Sequence, residues 1–81
     1  MEINQAIKIT VQQIAAKNDM SINTLALAAG VSPSCIYGVI SGRNRSVTIN
    51  TIQKICDGVG ISVAEFFSGD VFKNAEQEGE I

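Results

Sequence analysis

Four residues, Gly30-Val31-Ser32-Pro33, leave this chain little freedom in how it folds. The stretch before them, Leu25-Ala26-Leu27-Ala28-Ala29, consists of strong helix formers. Gly30 supplies the left-handed residue that ends such a helix. Ser32 is a good N-cap, and Pro33 brings its fixed φ to a first helical position whose N–H has no partner anyway. One helix therefore stops and another starts within three residues. A left-handed turn this tight sends the second helix off at a steep angle to the first. Val31 is then free to plug the space between them, and the small Ala26 allows close approach.

The rest of the chain reads as helices arranged around that pair. Ile3, Ile7, Val11 and Ile14 recur at steps of three and four, with Ala6 and Ala15 widening the stripe, so an amphipathic helix is expected from Ile3 to Asn18. Ile9 falls off the stripe, and Asn18-Asp19 is the end signal. Ser21 caps a second helix from Ile22 to Ala29. The third runs from Pro33 to about Ser41, where Gly42 closes it, with Ile36 and Val39 turned inward. A polar loop, Arg43 to Val47, follows. Thr48 caps a fourth helix with Ile49, Ile52, Ile55, Cys56 and Val59 on one face, and Gly60 ends it. Ser62 to Glu65 has the form of a capping box, and Ile61 with Phe66 is spaced as a hydrophobic staple, so a short fifth helix ends near Ser68-Gly69. No segment shows the period-two alternation of a hairpin. The expectation is an all-α, compact five-helix bundle over residues 1–69 and a short acidic tail over 70–81.

Composition narrows the function classes. With 46% apolar and 17% charged residues, the 81-residue chain has the make-up of a soluble globular domain. A domain of this size buries roughly 60% of its unfolded surface, enough for one modest core. No apolar run approaches the ~18 residues of a spanning helix, so no membrane partner is expected. The N-terminus lacks the basic start and cleavage site of a signal peptide. A cytoplasmic location is the expectation. Cys35 and Cys56 without any histidine cannot build a four-ligand zinc site, and they read as two small buried thiols. No metal, cofactor or small-molecule ligand is predicted. With no nucleophile beside a base and no phosphate-cradling glycine loop, an enzyme is not expected.

Net charge is −2, unevenly spread. Asp70, Glu76, Glu78 and Glu80 face only Lys73 in the tail, giving it −3. Residues 1–69 hold Lys8, Lys17, Arg43, Arg45 and Lys54 against Glu2, Asp19, Asp57 and Glu65, a net of +1. That body permits local phosphate contact with little long-range steering.

The segments "SINTLALAAGVSPSCIYGVISG" and "TINTIQKICDGVGISVAEFF" resemble the lambda-repressor-like (Xre-type) helix-turn-helix family. Leu25-Ala26, Gly30-Val31-Ser32, Ile36, Gly42, Ile52, Ile55, Gly60-Ile61-Ser62 and Phe66-Phe67 stand where that family has core and turn residues. The likeness covers roughly residues 3–68. It implies a DNA-binding fold whose helix-turn-helix is formed by helices 2 and 3, and a double-stranded DNA partner. Pro33, Ser34, Tyr37, Gly38 and Ser41 match the positions that face the major groove, with Ser32 capping that helix. Ser21 to Asn23, with both end residues as candidates, match a phosphate-anchoring helix start. Arg43, Asn44, Arg45 and Ser46 match the loop that grips the backbone.

Three departures from the family qualify the likeness. Ile22 stands where many members place a glutamine on phosphate. Ala15 and Ile40 replace an arginine and a glutamate, and removing both partners together is the neutral way to delete a buried ion pair. No Gln, Asn, Arg or Lys lies within Pro33 to Ser41, so bidentate base recognition cannot come from this helix. The resemblance thus implies a DNA-binding transcriptional regulator, a repressor occupying an operator as a dimer. The alternative is an interaction module, antitoxin-like or anti-repressor, that keeps the fold and reads DNA weakly or not at all. Adjacent Phe66 and Phe67 cannot both be equally buried. One is expected in the core, and Phe67, Val71 and Phe72 are expected to form a homodimer seam. The competing expectation folds Phe72 back on its own core.

Overall fold

A computed structural model describes residues 2–41 and 48–73. It holds α1 (Ile3–Lys17), α2 (Ile22–Ala29), α3 (Pro33–Ser41), α4 (Ile49–Val59), α5 (Val63–Phe66) and α6 (Asp70–Lys73), with no strand among the described residues. The five expected helices are all present. A sixth, α6, begins where the tail was expected to begin, and it lies against α1.

The helix boundaries follow from the expected residues. Ser21 Oγ accepts the Thr24 N–H at 3.1 Å, Thr48 Oγ1 the Thr51 N–H at 3.2 Å, and Ser62 Oγ the Glu65 N–H at 3.0 Å. Gly30 and Gly60 both sit in the left-handed region, at φ 73° and 76°, and end α2 and α4. After each glycine the next N–H reaches back into the helix, Val31 to the Ala26 carbonyl and Ile61 to the Cys56 carbonyl, both at 3.0 Å. These bonds satisfy carbonyls that the helix end would leave without donors. At the end of α1 the left-handed residue is Asp19 (φ 55°), and the Asn18 side-chain amide donates to the Ile14 carbonyl at 2.8 Å. The Ser62–Glu65 box forms only by half: Ser62 caps α5, while no return bond from the Glu65 carboxylate is made.

One core joins the helices. Ile7, Val11 and Ile14 of α1 meet Leu25 and Ala26 of α2, Ile36 and Val39 of α3, Ile52, Ile55 and Cys56 of α4, and Phe66 of α5. Two positions depart from the expected stripes. Ile3 and Ile49 lie in the first turns of their helices and are 42% and 62% exposed. Ala15 is buried, and Ile40 is half-buried against the core, so the exchange of a charged pair for apolar groups is packed as expected. The one buried polar side chain among the described residues, Thr10, donates its hydroxyl to the Ala6 carbonyl at 2.8 Å.

The α2–α4 contact is the most extensive between any two helices. Gly58 makes it possible. A Cβ built there would lie 2.6 Å from the Ala28 carbonyl oxygen, 2.7 Å from its carbon and 2.9 Å from the Ala29 nitrogen. The backbone of α4 thus rests directly on the last turn of α2, immediately before the Gly30 turn that aims α3.

Candidate functional site

Helix α3 presents a face because its opposite side is anchored. Ile36 is fully buried and Val39 is nearly so, with Cys35 and Ile40 half-buried at their flanks. Pro33, Ser34, Tyr37 and Ser41 follow one another at helical steps of one, three and four, and all four are exposed. Tyr37 is 46% exposed, the one large side chain on that face. Ser32 is exposed at the start of the helix, where its hydroxyl meets the Cys35 N–H at 3.4 Å. Ser41 Oγ donates to the Gly38 carbonyl at 3.4 Å.

Gly38 corrects the expected face. It is buried, not outward. It falls at the border of the exposed stripe, next to Val39, and has no side chain to reach out from it. It therefore offers no group to a partner, and the face consists of Pro33, Ser34, Tyr37 and Ser41.

Ser21 and Asn23 are both exposed at the start of α2. The Ser21 hydroxyl is already engaged with the Thr24 N–H and lies 2.9 Å from the Thr24 hydroxyl. Helix geometry gives the Ile22 and Asn23 N–H groups no carbonyl one turn back, so they are the donors this end can offer an anion. The Ile22 side chain is half-buried against the core, which accounts for an apolar residue in the first turn. Arg43, Asn44, Arg45 and Ser46 lie outside the described residues.

The phenylalanines divide as expected, one in the core and others at its edge. Phe66 is 1% exposed, while Phe67, Val71 and Phe72 are half-buried. Phe72 takes the competing expectation. Its ring centroid is 4.9 Å from Phe67 and 6.1 Å from Phe66, and Phe66 and Phe67 meet edge to face at 5.0 Å. The three rings form a cluster within one chain because the α6 turn carries Phe72 back over α5, so the expected seam is partly covered by its own protein.

Among the described residues no group of three or more His, Cys, Asp or Glu could hold a metal ion, and no helix is long and apolar enough to cross a membrane. What this surface can do is insert a short, uncharged helix into a groove about as wide as a helix. The residue sequence reasoning missed is Gly58, which positions α2 and hence the turn into α3. Its one signal is a glycine kept inside an otherwise regular amphipathic helix, where it weakens the helix unless a close approach requires it.

A family model described as a Cro/C1-type HTH DNA-binding domain matches residues 10–69 of the chain. No curated protein and no solved structure matches it.

Proposed function

The chain belongs to the Cro/C1-type helix-turn-helix DNA-binding family, and on that premise we propose that it is a cytoplasmic transcriptional repressor that occupies an operator as a dimer. The observation that carries the reading is the anchored face of α3, with Pro33, Ser34, Tyr37 and Ser41 exposed over buried Ile36 and Val39. In the major groove this face has serine hydroxyls for base edges or phosphate, and the Tyr37 ring and Pro33 for thymine methyl groups. It has no side chain capable of the bidentate pairing that reads guanine or adenine. Specificity then rests on shape, methyl contacts and the deformability of the operator. Arg43 and Arg45 hold phosphates next to the groove, while the N–H groups at the start of α2 hold another. Two copies place their α3 helices about one turn of DNA apart, ~34 Å, and the exposed parts of Phe67, Val71 and Phe72 are what a second copy would cover.

Fluorescence anisotropy with labelled duplex, from ~20 mM salt upward, tests the reading. Affinity is expected to fall linearly on a log–log plot. Replacing Arg43 and Arg45 together with alanine should flatten the slope by about 2, since each phosphate contact contributes about 0.9. Tyr37→Ala, at an exposed position, should weaken operator binding with little change in melting temperature. Absence of binding even at ~20 mM salt would overturn the proposal in favour of an interaction module that keeps the fold. Sedimentation that stays monomeric at high concentration, together with non-cooperative binding to paired half-sites, would remove the dimer.

A further inference from the structure

Beside the C-terminal half of α1, at the end of the bundle formed by α4, α5 and the approach to α6, lies a cleft of about 300 Å³. No residue of α3 lines it, so it is separate from the reading face. Its floor is apolar, with Ile14 and the ring of Phe66 both buried. Its rim is polar, with Gln13 and Lys17 contributed by α1 and Glu65 and Ser68 by α5 and the turn after it. Lys17 and Glu65 are the two charged residues of the lining, one of each sign and from different helices. They do not pair with each other. Among the described residues the ion pair formed is Lys73 Nζ with Asp70 Oδ1, at 3.6 Å. The Glu65 carboxylate is also the group that makes no return bond to the start of α5, so it keeps its acceptor capacity beside the cleft.

A cleft with an apolar floor and two unpaired charges of opposite sign in its lining specifies a ligand. A simple anion would meet Glu65, a simple cation would meet Lys17, and an uncharged hydrocarbon would satisfy neither. The volume lies at the small end of the ~300–1,000 Å³ range of ligand sites. It holds roughly ten non-hydrogen atoms at about 30 Å³ each. We propose that the cleft binds a small zwitterion with an apolar body, of the size of a free α-amino acid, its carboxylate toward Lys17, its ammonium toward Glu65 and its side chain over Ile14 and Phe66. The sequence alone predicts no small-molecule ligand, because Lys17 and Glu65 are 48 positions apart and only the fold brings them to one opening.

The test does not depend on DNA binding. The full chain is followed by amide-resolved NMR during titration with L-leucine, N-acetyl-L-leucine and L-leucinamide, the last two each lacking one of the charges. L-leucine should shift the Asn18, Ser68 and Gly69 amides saturably, with a dissociation constant on the order of 1 mM. Each one-charge analogue should bind about three- to tenfold more weakly, and Lys17→Met and Glu65→Gln should each weaken L-leucine by a similar factor. No saturable shift of those amides by about 20 mM ligand would overturn the proposal. Equal binding of the three compounds would overturn it too. If a variant loses its fold by circular dichroism, the comparison of the three compounds on the wild-type chain decides.

Discussion

Replacing Gly58 with alanine sets two effects of opposite sign against each other. Alanine inside α4 gains about 1 kcal/mol over glycine in helix propensity. The added methyl would sit 2.6 Å and 2.7 Å from the oxygen and carbon of the Ala28 carbonyl, where ordinary carbon contacts are ~3.5–4.0 Å. These are backbone atoms of α2, so no side-chain rotation relieves them, and the two helices must separate by roughly 0.5–1 Å. Overpacking of this kind costs about 1–3 kcal/mol. The contact is with main chain, so the upper part of that range applies, and the net loss is about 1–2 kcal/mol. For 81 residues at ~0.05–0.15 kcal/mol each, total stability is about 4–12 kcal/mol. The change should lower the melting temperature by about 5–15 °C. Thermal unfolding by circular dichroism measures it, with exposed Lys54→Ala on the same helix as the control, expected within ~0.5 kcal/mol of wild type. A Gly58→Ala protein that melts at or above the wild-type temperature would refute the reasoning, because α4 would then have room that the backbone distances deny it.

Two other expectations concern the turn and the thiols. At Gly30 a Cβ would meet nothing within 4 Å, so the cost of Gly30→Ala comes from φ 73° alone, about 1 kcal/mol, and Gly30→Asn should recover part of it in denaturant titration. Burial, with Asp57 adding to it, raises the Cys56 thiol above its ordinary pKa. Cys56 should therefore resist thiol reagents in the native protein and react only on unfolding, as counted with Ellman's reagent with and without denaturant. The folded state holds the Cys56 proton more tightly than the unfolded chain does. Its contribution to stability is accordingly present below the ordinary thiol pKa and declines as pH rises past about 8.5.

Most of the fold was legible because its punctuation is local. Ser21, Gly30, Thr48, Gly60 and Ser62 each act on a backbone group within a few residues, and each does what its type predicts. The inward residues of α3 were legible for the same reason, since Ile36 and Val39 share one face at any orientation of the bundle. What escaped depended on neighbours distant in sequence. Ile49 fits the α4 stripe yet is left mostly exposed, and Gly38 fits an outward stripe yet is buried. Four residues from Asp70 to Lys73 carry too weak a pattern to announce a helix, and α6 is placed by its packing against α1 together with the contact of Phe72 with Phe66 and Phe67. Gly58 reads as a flaw until the main chain of α2 is seen against it.

The exchange at Ala15 and Ile40 has an experimental consequence. Ala15 of α1 and Ile40 of α3 bring only hydrocarbon to the core, at the two positions where the family resemblance implies opposite charges, and the chain has no histidine. Added electrolyte has no ion pair there to screen, and nothing at those positions changes protonation between about pH 5 and 8. On the proposed function, a loss of duplex affinity as electrolyte is added then carries no contribution from an ion pair at Ala15 and Ile40.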